Sequence, residues 1–348
     1  MEYINFGASG LKVSKLSFGT WYLPQKTQEN SINSINEEMS KKVIQKAYDL
    51  GINFFDTATV YYRGESERIL GEVLQGYDRE SLVISSKVRG KMAEFPNGEG
   101  LSRKHIMWQI RETLRRLKTD YVDIYIMHWP DPSTPIEESA ETLADIVKQG
   151  KVHYLGASNF HPDDIPYIYK LFRELHTMFI ALQDPYNFLE RFRGSVGVTE
   201  KYRIPLAKKL GLGIMAYSPL AQGVLTGKYN NGIPTDSRAT INMSIVNRYL
   251  TQENLNVLKE FHEVAKELGV TDAQLALAWI LKISETNGVS IVPIIGASSP
   301  EQLEEDVEAV NIKITDDIFR RLDELSRKTT SELNVNLNRI KKLSYELT

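Results

Sequence analysis

Short apolar runs alternate with longer amphipathic ones along most of the chain. The apolar runs are Leu16–Thr20, Asn53–Ala58, Leu82–Val88, Val122–Trp129, Tyr154–Asn159, Ile180–Pro185, Gly213–Ser218 and Val289–Ile295. Most are nearly continuously apolar rather than alternating, which is the pattern of parallel strands covered on both faces. Helical periodicity fills the gaps: Ser40–Leu50, Ser66–Gln75, Ser102–Leu117, Ile136–Gln149, Asp163–Leu175, Tyr202–Leu210, Thr271–Ile283 and Pro300–Val310. Ser102 suits an N-cap, Gly51 and Gly150 follow helix ends, and Pro300 fits a first turn. Eight βα units predict an α/β fold, a closed (β/α)8 barrel of the TIM type. An open doubly wound sheet is the alternative, but nothing marks a reversal of strand order.

Three segments fall outside the eight units. Tyr3–Ser14, with a Gly7-Ala8-Ser9-Gly10 turn, reads as an N-terminal β-hairpin able to cover the barrel bottom. Thr251–Leu268 and Asp316–Ser326 read as two extra helices. Leu220–Arg248 is long, contains Gly, Pro and Asn, and has no period. Long loops of this kind in compact domains are usually functional or mobile.

Composition narrows the function classes. The 348 residues suffice for one large core, and residues 1–348 are read as a single barrel domain. A net charge of −3 gives no basic excess to attract nucleic acid or acidic lipid, so neither is an expected partner. The absence of Cys excludes disulfides, thiolate metal sites and cysteine nucleophiles, and fits a cytoplasmic protein. Met1 to Phe6 contain no basic stretch leading into an apolar run, so no secretory leader is expected. No segment approaches the roughly 20 apolar residues of a membrane span.

Barrel chemistry sits at the C-terminal ends of the strands. Asp56, Lys87 and His128 end the second, third and fourth runs, and Tyr61 follows Asp56 closely. An ammonium within an apolar run is expensive to bury without a partner, and Asp56 is the natural one. The competing readings are a Lys87 beyond the strand end in water and an Asp56 that caps local amides. A free phenol, with a pKa near 10, transfers protons poorly at pH 7, and a nearby cation stabilises its phenolate. Lys87 would do this for Tyr61, the expected general acid, with the adjacent Tyr62 as rival. Surface packing is the plain alternative for either tyrosine. Of six histidines, none pairs at metal-ligand spacing, and only His128 closes a buried run. A His there can hydrogen-bond a carbonyl oxygen.

Phosphate-binding signals are few. There is no Gly-x-Gly-x-x-Gly, and Gly223 to Tyr229 is one residue short of a P-loop and lacks its Ser/Thr. Gly296-Ala297-Ser298-Ser299-Pro300 follows the eighth run and opens a helix, whose amides can hold phosphate.

These segments resemble the aldo-keto reductase superfamily over nearly the whole chain. Phe55-Asp56-Thr57-Ala58 with Tyr61 and Gly64-x-Ser66-Glu67 is similar to its second-strand signature. Ser86-Lys87-Val88 and Met127-His128-Trp129-Pro130-Asp131 are similar to its third and fourth. Gly156-Ala157-Ser158-Asn159-Phe160, Leu182-Gln183-Asp184-Pro185-Tyr186-Asn187 and Tyr217-Ser218-Pro219-Leu220-Ala221-Gln222-Gly223 resemble its cofactor-contacting strands. Gly100-Leu101-Ser102-Arg103-Lys104-His105-Ile106, Thr226-Gly227-Lys228-Tyr229, Gly232-Ile233-Pro234 and Ser237-Arg238 are most similar to the branch containing the β subunits of voltage-gated potassium channels.

The resemblance implies an NADP(H)-dependent reductase of aldehydes or ketones, with Asp56, Tyr61, Lys87 and His128 as the catalytic tetrad. Ser158, Asn159 and Gln183 would hold the nicotinamide carboxamide, Tyr217 would stack on its ring, and Thr20, Trp21 and Asp56 would join the cofactor contacts. Ser218, Leu220, Gly223, Lys228 and Arg238 would reach the pyrophosphate and ribose. Gly296, Ser298, Gln302, Glu305 and Asp306 would form the adenosine end. Many members carry Arg or Lys where Gly296, Ser298 and Gln302 stand here, so NADPH is expected over NADH by a small margin. Asp306 stands where Asn is usual. A carboxylate there would repel a phosphate or accept an adenine amino proton. Trp21, Tyr22, Tyr62, Arg89, Trp129 and Asn187 would line a substrate pocket with aromatic walls. A small carbonyl compound is therefore the expected partner. Two other functions compete: a redox-sensing regulatory subunit with slow turnover, and a barrel lyase or isomerase using Lys87 as a Schiff base. The channel subunits commonly depart from His at the position of His128, so the intact tetrad favours the reductase.

Overall fold

The computed structural model describes residues 1–21, 23, 36–192, 198–229 and 248–329. Strands β1 (Tyr3–Asn5) and β2 (Lys12–Ser14) pair antiparallel as the expected hairpin. Eight parallel strands follow: β3 (Ser17–Gly19), β4 (Phe54–Asp56), β5 (Val83–Val88), β6 (Val122–Met127), β7 (Val152–Ser158), β8 (Phe179–Pro185), β9 (Gly213–Tyr217) and β10 (Ile291–Ile295). They pair in sequence order, and β10 returns to β3, so the sheet closes into a barrel. The open sheet is thereby excluded.

The helices are α1 (Glu37–Asp49), α2 (Glu65–Leu74), α3 (Arg103–Leu117), α4 (Ile136–Lys148), α5 (Asp164–Glu174), α6 (Ile204–Leu210), α7 (Gln252–Leu268), α8 (Asp272–Asn287), α9 (Pro300–Val307) and α10 (Asp316–Arg327). The punctuation works as expected. Ser102 accepts a hydrogen bond from the His105 amide, and Gly51 and Gly150 take left-handed φ after α1 and α4. A π-helical turn, Thr199–Arg203, leads into α6, where an ordinary helix start was expected. Among the described residues, no helix is long and apolar enough to cross a membrane.

The hairpin plugs the N-terminal end of the barrel. Phe6 meets Phe54, at the start of β4, edge to face with ring centroids 5.7 Å apart. It joins Val13, Val83, Ile124, Ile126, Met215 and Val292 in an apolar cluster inside the strands. Gly213 permits this, because a Cβ there would lie 2.6 Å from the Phe6 ring. A second, larger cluster packs the outer faces of the strands against the helices. With the bottom sealed and the wall packed on both sides, the C-terminal rim is left for polar side chains.

Candidate active site

Strand register brings the rim residues together. Asp56, last in β4, pairs with Ser85 of β5, and Lys87 lies two residues further along the same inward face. Lys87 in turn pairs with Ile126 of β6, and His128 lies two residues beyond that. The His128 amide continues the ladder by donating to Val88 O. After Asp56 the chain leaves the sheet through a 3₁₀ turn that begins at Tyr61, whose amide donates to Ala58 O. The four groups thus meet at one end of the barrel.

Lys87 is completely buried. Its Nζ donates to Asp56 Oδ2 at 2.7 Å, to Thr57 O at 2.8 Å and to Tyr61 Oη at 2.9 Å. Three acceptors match the three hydrogens of an ammonium. Burial pushes the Lys87 pKa down from 10.5, and Asp56 pulls against it. The other carboxylate oxygen, Asp56 Oδ1, accepts from Ser85 Oγ at 2.7 Å and Gln183 Nε2 at 2.8 Å. A buried pair with unfilled lone pairs would be costly, and here three side chains supply donors.

Tyr61, not Tyr62, is the phenol on Lys87. Tyr61 is nearly buried, with Trp21 edge-on at 4.8 Å and His128 at 5.9 Å between ring centroids. Tyr62 is half-buried with left-handed backbone. His128 is buried and stacks on Trp129 at 3.6 Å. Burial first, then the cations Lys87 and Arg89, hold its pKa well below 6.5. The imidazole is therefore neutral at pH 7.

The residues expected to hold a nicotinamide adjoin this group. Asn159, at φ +63°, links four strand ends. Its Nδ2 donates to His128 O at 3.1 Å and Ser158 Oγ at 2.8 Å, and its Oδ1 accepts from Tyr217 Oη at 2.8 Å. Its amide donates to Asp184 Oδ1 at 3.3 Å. Thr20 donates its amide to Asp56 O, and Trp21 is exposed beside it. Past β9, Ser218, Ala221, Gln222 and Gly223 all take positive φ. Leu220 lies within that turn, and the Lys228 ammonium reaches back over Gly223, 3.1 Å from where a Cβ would sit. Ser298 donates both its amide and its hydroxyl to Gln302 Oε1, at 3.0 and 2.7 Å. Gly296 precedes this turn, Glu305 is exposed on α9, and Asp306 is buried there. Arg238 and Tyr22 lie outside the described residues.

A sequence profile of the Aldo/keto reductase family matches residues 15–327. The chain belongs to the aldo/keto reductase family. It is 38% identical over 337 residues to a putative voltage-gated potassium channel subunit beta of Schizosaccharomyces pombe, covering 94% of each chain. It is 37% identical over 318 residues to a probable voltage-gated potassium channel subunit beta of Arabidopsis thaliana, covering 90% of this chain and 92% of that one.

Members of the aldo/keto reductase family generally use NAD(P)H, and the rim fits such a group. A carboxamide needs one donor for its oxygen and one acceptor for its nitrogen. Ser158 Oγ accepts from Asn159 and keeps its own hydrogen, and Gln183 spends its nitrogen on Asp56 and Met215, which leaves its oxygen. At the other end the fit is weaker, because Gln302 already takes both Ser298 donors.

Sequence reasoning missed three rim residues. Ser85 braces Asp56 from the neighbouring strand. Asp184 and Arg203 form a buried ion pair, with Nε to Oδ2 at 2.6 Å. The signal for Asp184 was the one that singled out Lys87, a charge inside an apolar run. Arg203 carried none, since its partner is set by tertiary packing.

Proposed function

We propose that this aldo/keto reductase reduces an aldehyde or ketone to the alcohol with NADPH, with Tyr61 as general acid. The observation that carries the reading is the fully buried Lys87 ammonium bonded at once to Asp56, Thr57 O and Tyr61 Oη. A buried pair of this kind is a poor source of stability, and here its third bond falls on a phenol able to transfer a proton.

Reduction of a carbonyl requires a hydride at carbon and a proton at oxygen. Bound along the rim, NADPH supplies the hydride. Tyr61 gives the proton, and the 2.9 Å bond from Lys87 stabilises the phenolate that remains. Asp56 holds Lys87 in place and balances its charge. His128 is neutral, so it serves as a hydrogen-bond donor to the same oxygen rather than as the acid. Ser158 and Gln183 would hold the carboxamide, and Tyr217, tied to Asn159, would flank the ring. Trp21 on Tyr61 and Trp129 on His128 give the substrate mouth aromatic walls. At the adenosine end the Gln302 side-chain nitrogen is a neutral donor, and Ser298 would have to release Gln302 to donate as well, so NADPH is preferred over NADH by a modest margin. Lys228, whose ammonium lies over Gly223, would supply positive charge to the pyrophosphate.

The relatives' names support a second reading, a regulatory subunit of a potassium channel that binds NADPH and turns over slowly. One experiment separates the two. NADPH oxidation is followed with a panel of aldehydes, ketones and sugars, in the native protein and in Tyr61→Phe. Multiple turnovers that vanish in Tyr61→Phe support the reductase. NADPH binding without turnover on any substrate sinks it in favour of the subunit.

A further inference from the structure

Asn159 holds a left-handed backbone, a conformation uncommon for residues other than Gly although Asn takes it more readily than most. Its φ is +63°. Its own side chain is engaged by His128 O, Ser158 Oγ and Tyr217 Oη, so every one of those bonds depends on the backbone staying put. Two buried residues grip that backbone. Asp184 Oδ1, at the end of β8, accepts the Asn159 amide. Arg203, from the π-helical turn before α6, pairs with Asp184 Oδ2 and also donates to the carbonyl oxygen of Phe160. The peptide before Asn159 and the one after Phe160 are thus tied to one ion pair, which brackets the Asn159–Phe160 unit. Both partners are about 2% exposed. A buried pair of this kind is a poor source of stability, because desolvation offsets its attraction.

We propose that Asp184 and Arg203 are positioning residues: they lock the left-handed backbone of Asn159 and so set Ser158 Oγ and the Tyr217 ring, both bonded to its side chain, at the nicotinamide end of the cofactor. The locking is a property of the chain alone, and its use in binding rests on the function proposed above. The pair touches neither cofactor nor substrate, so its effect passes through Asn159.

The test uses the full chain with Asp184→Asn/Arg203→Gln, which removes both charges and leaves no lone buried ion. Arg203→Lys is the second variant. It keeps a charge against Asp184 but loses the fork that reaches Phe160. Hydrogen exchange at the Asn159 amide, the one N–H that Asp184 accepts, is measured by NMR without cofactor. Binding is then measured for NADPH and for adenosine 2′,5′-bisphosphate, which engages only the adenosine end. Loss of one hydrogen bond's worth of restraint corresponds to about tenfold faster exchange and about tenfold weaker NADPH binding. Adenosine 2′,5′-bisphosphate should bind as before. Hydride transfer from C4-deuterated NADPH should also lose stereochemical purity. Unchanged exchange at Asn159 overturns the proposal whatever happens to binding. Equal weakening of both ligands overturns it too, because the pair would then be a general structural brace. If exchange quickens but the native protein binds no NADPH, the lock stands and the reductase reading falls.

Discussion

Replacing Asp306 with Asn should make the protein more stable at neutral and alkaline pH, and leave it unchanged in acid. Asp306 is buried on α9. Burial, with the Glu305 carboxylate adding repulsion, raises its pKa from 3.8 to about 7. Between those values the native state keeps a proton that the unfolded chain releases. The stability contributed by this carboxyl is therefore complete below pH 3.8 and lost as pH rises through about 7. A rise of roughly three units, at 1.36 kcal/mol each, sets the loss at no more than about 4 kcal/mol. Asn keeps the shape and cannot ionise. Unfolding entropy near 2.1 cal/mol/K per residue makes 1 kcal/mol equal to roughly 1.4 °C in a chain of this length. At pH 8 the Asn variant should thus melt about 3–6 °C above the native protein, with the gap closing to nothing by about pH 4. The assay is a series of thermal melts from pH 4 to 8 on both proteins, without cofactor, because a ligand at α9 would shift Tm by mass action. Parallel Tm curves across the series would refute the reasoning, since Asp306 would then ionise in the fold at no cost.

Three further outcomes follow from the rim. Tyr61→Phe should lower the reduction rate by roughly 10²–10⁴ while NADPH still binds, and Tyr62→Phe should stay active; the opposite pattern would assign the proton to the other phenol. Lys87→Met should leave Asp56 charged and unpaired, destabilising the fold by about 3–5 kcal/mol, whereas Asp56→Asn/Lys87→Met should regain stability without regaining turnover. Denaturation beside steady-state kinetics checks this, and a double variant with restored activity would count against a catalytic role. Ser298→Arg should raise the ratio of kcat/KM for NADPH over NADH, because a charge-assisted bond is about twice as strong as a neutral one. An unchanged ratio would remove the 2′-phosphate from this turn.

The barrel was legible because a strand buried on both faces announces itself as a continuous apolar run, and all eight runs are strands. Errors are confined to the ends. β7 begins at Val152 rather than Tyr154, because the exposed His153 interrupts the apolar run. The turn at Thr199–Arg203 was read as the approach to an ordinary helix, since a π-helical turn leaves no period in the sequence. Asp56, Lys87 and His128 were legible for one physical reason: a polar group ending an apolar run needs a partner. Tyr61 needed more, because nothing in the spacing separates it from Tyr62. Only the 3₁₀ turn, which carries Tyr61 to Lys87 and Tyr62 away from it, makes the choice.

Among the described residues, two buried ion pairs stand at the rim, Asp56–Lys87 and Asp184–Arg203, and the same physics gives them different work. Each is too deeply buried to be a net stabiliser of consequence. Each also leaves donors and acceptors that neighbouring groups must fill. In the first pair the remaining bond falls on Tyr61 Oη, a group that can part with a proton, so fixing the ammonium fixes the chemistry. In the second the remaining bonds fall on the peptides around Asn159, which titrate nothing, so fixing the guanidinium fixes a shape. Gln183 connects the two. Its side chain bonds to Asp56, while its neighbour Asp184 anchors the second pair. A strain that moved β8 would therefore disturb the Asp56–Lys87–Tyr61 chain and the setting of Asn159 together, which binds the rim into one unit built on the rigid wall beneath it.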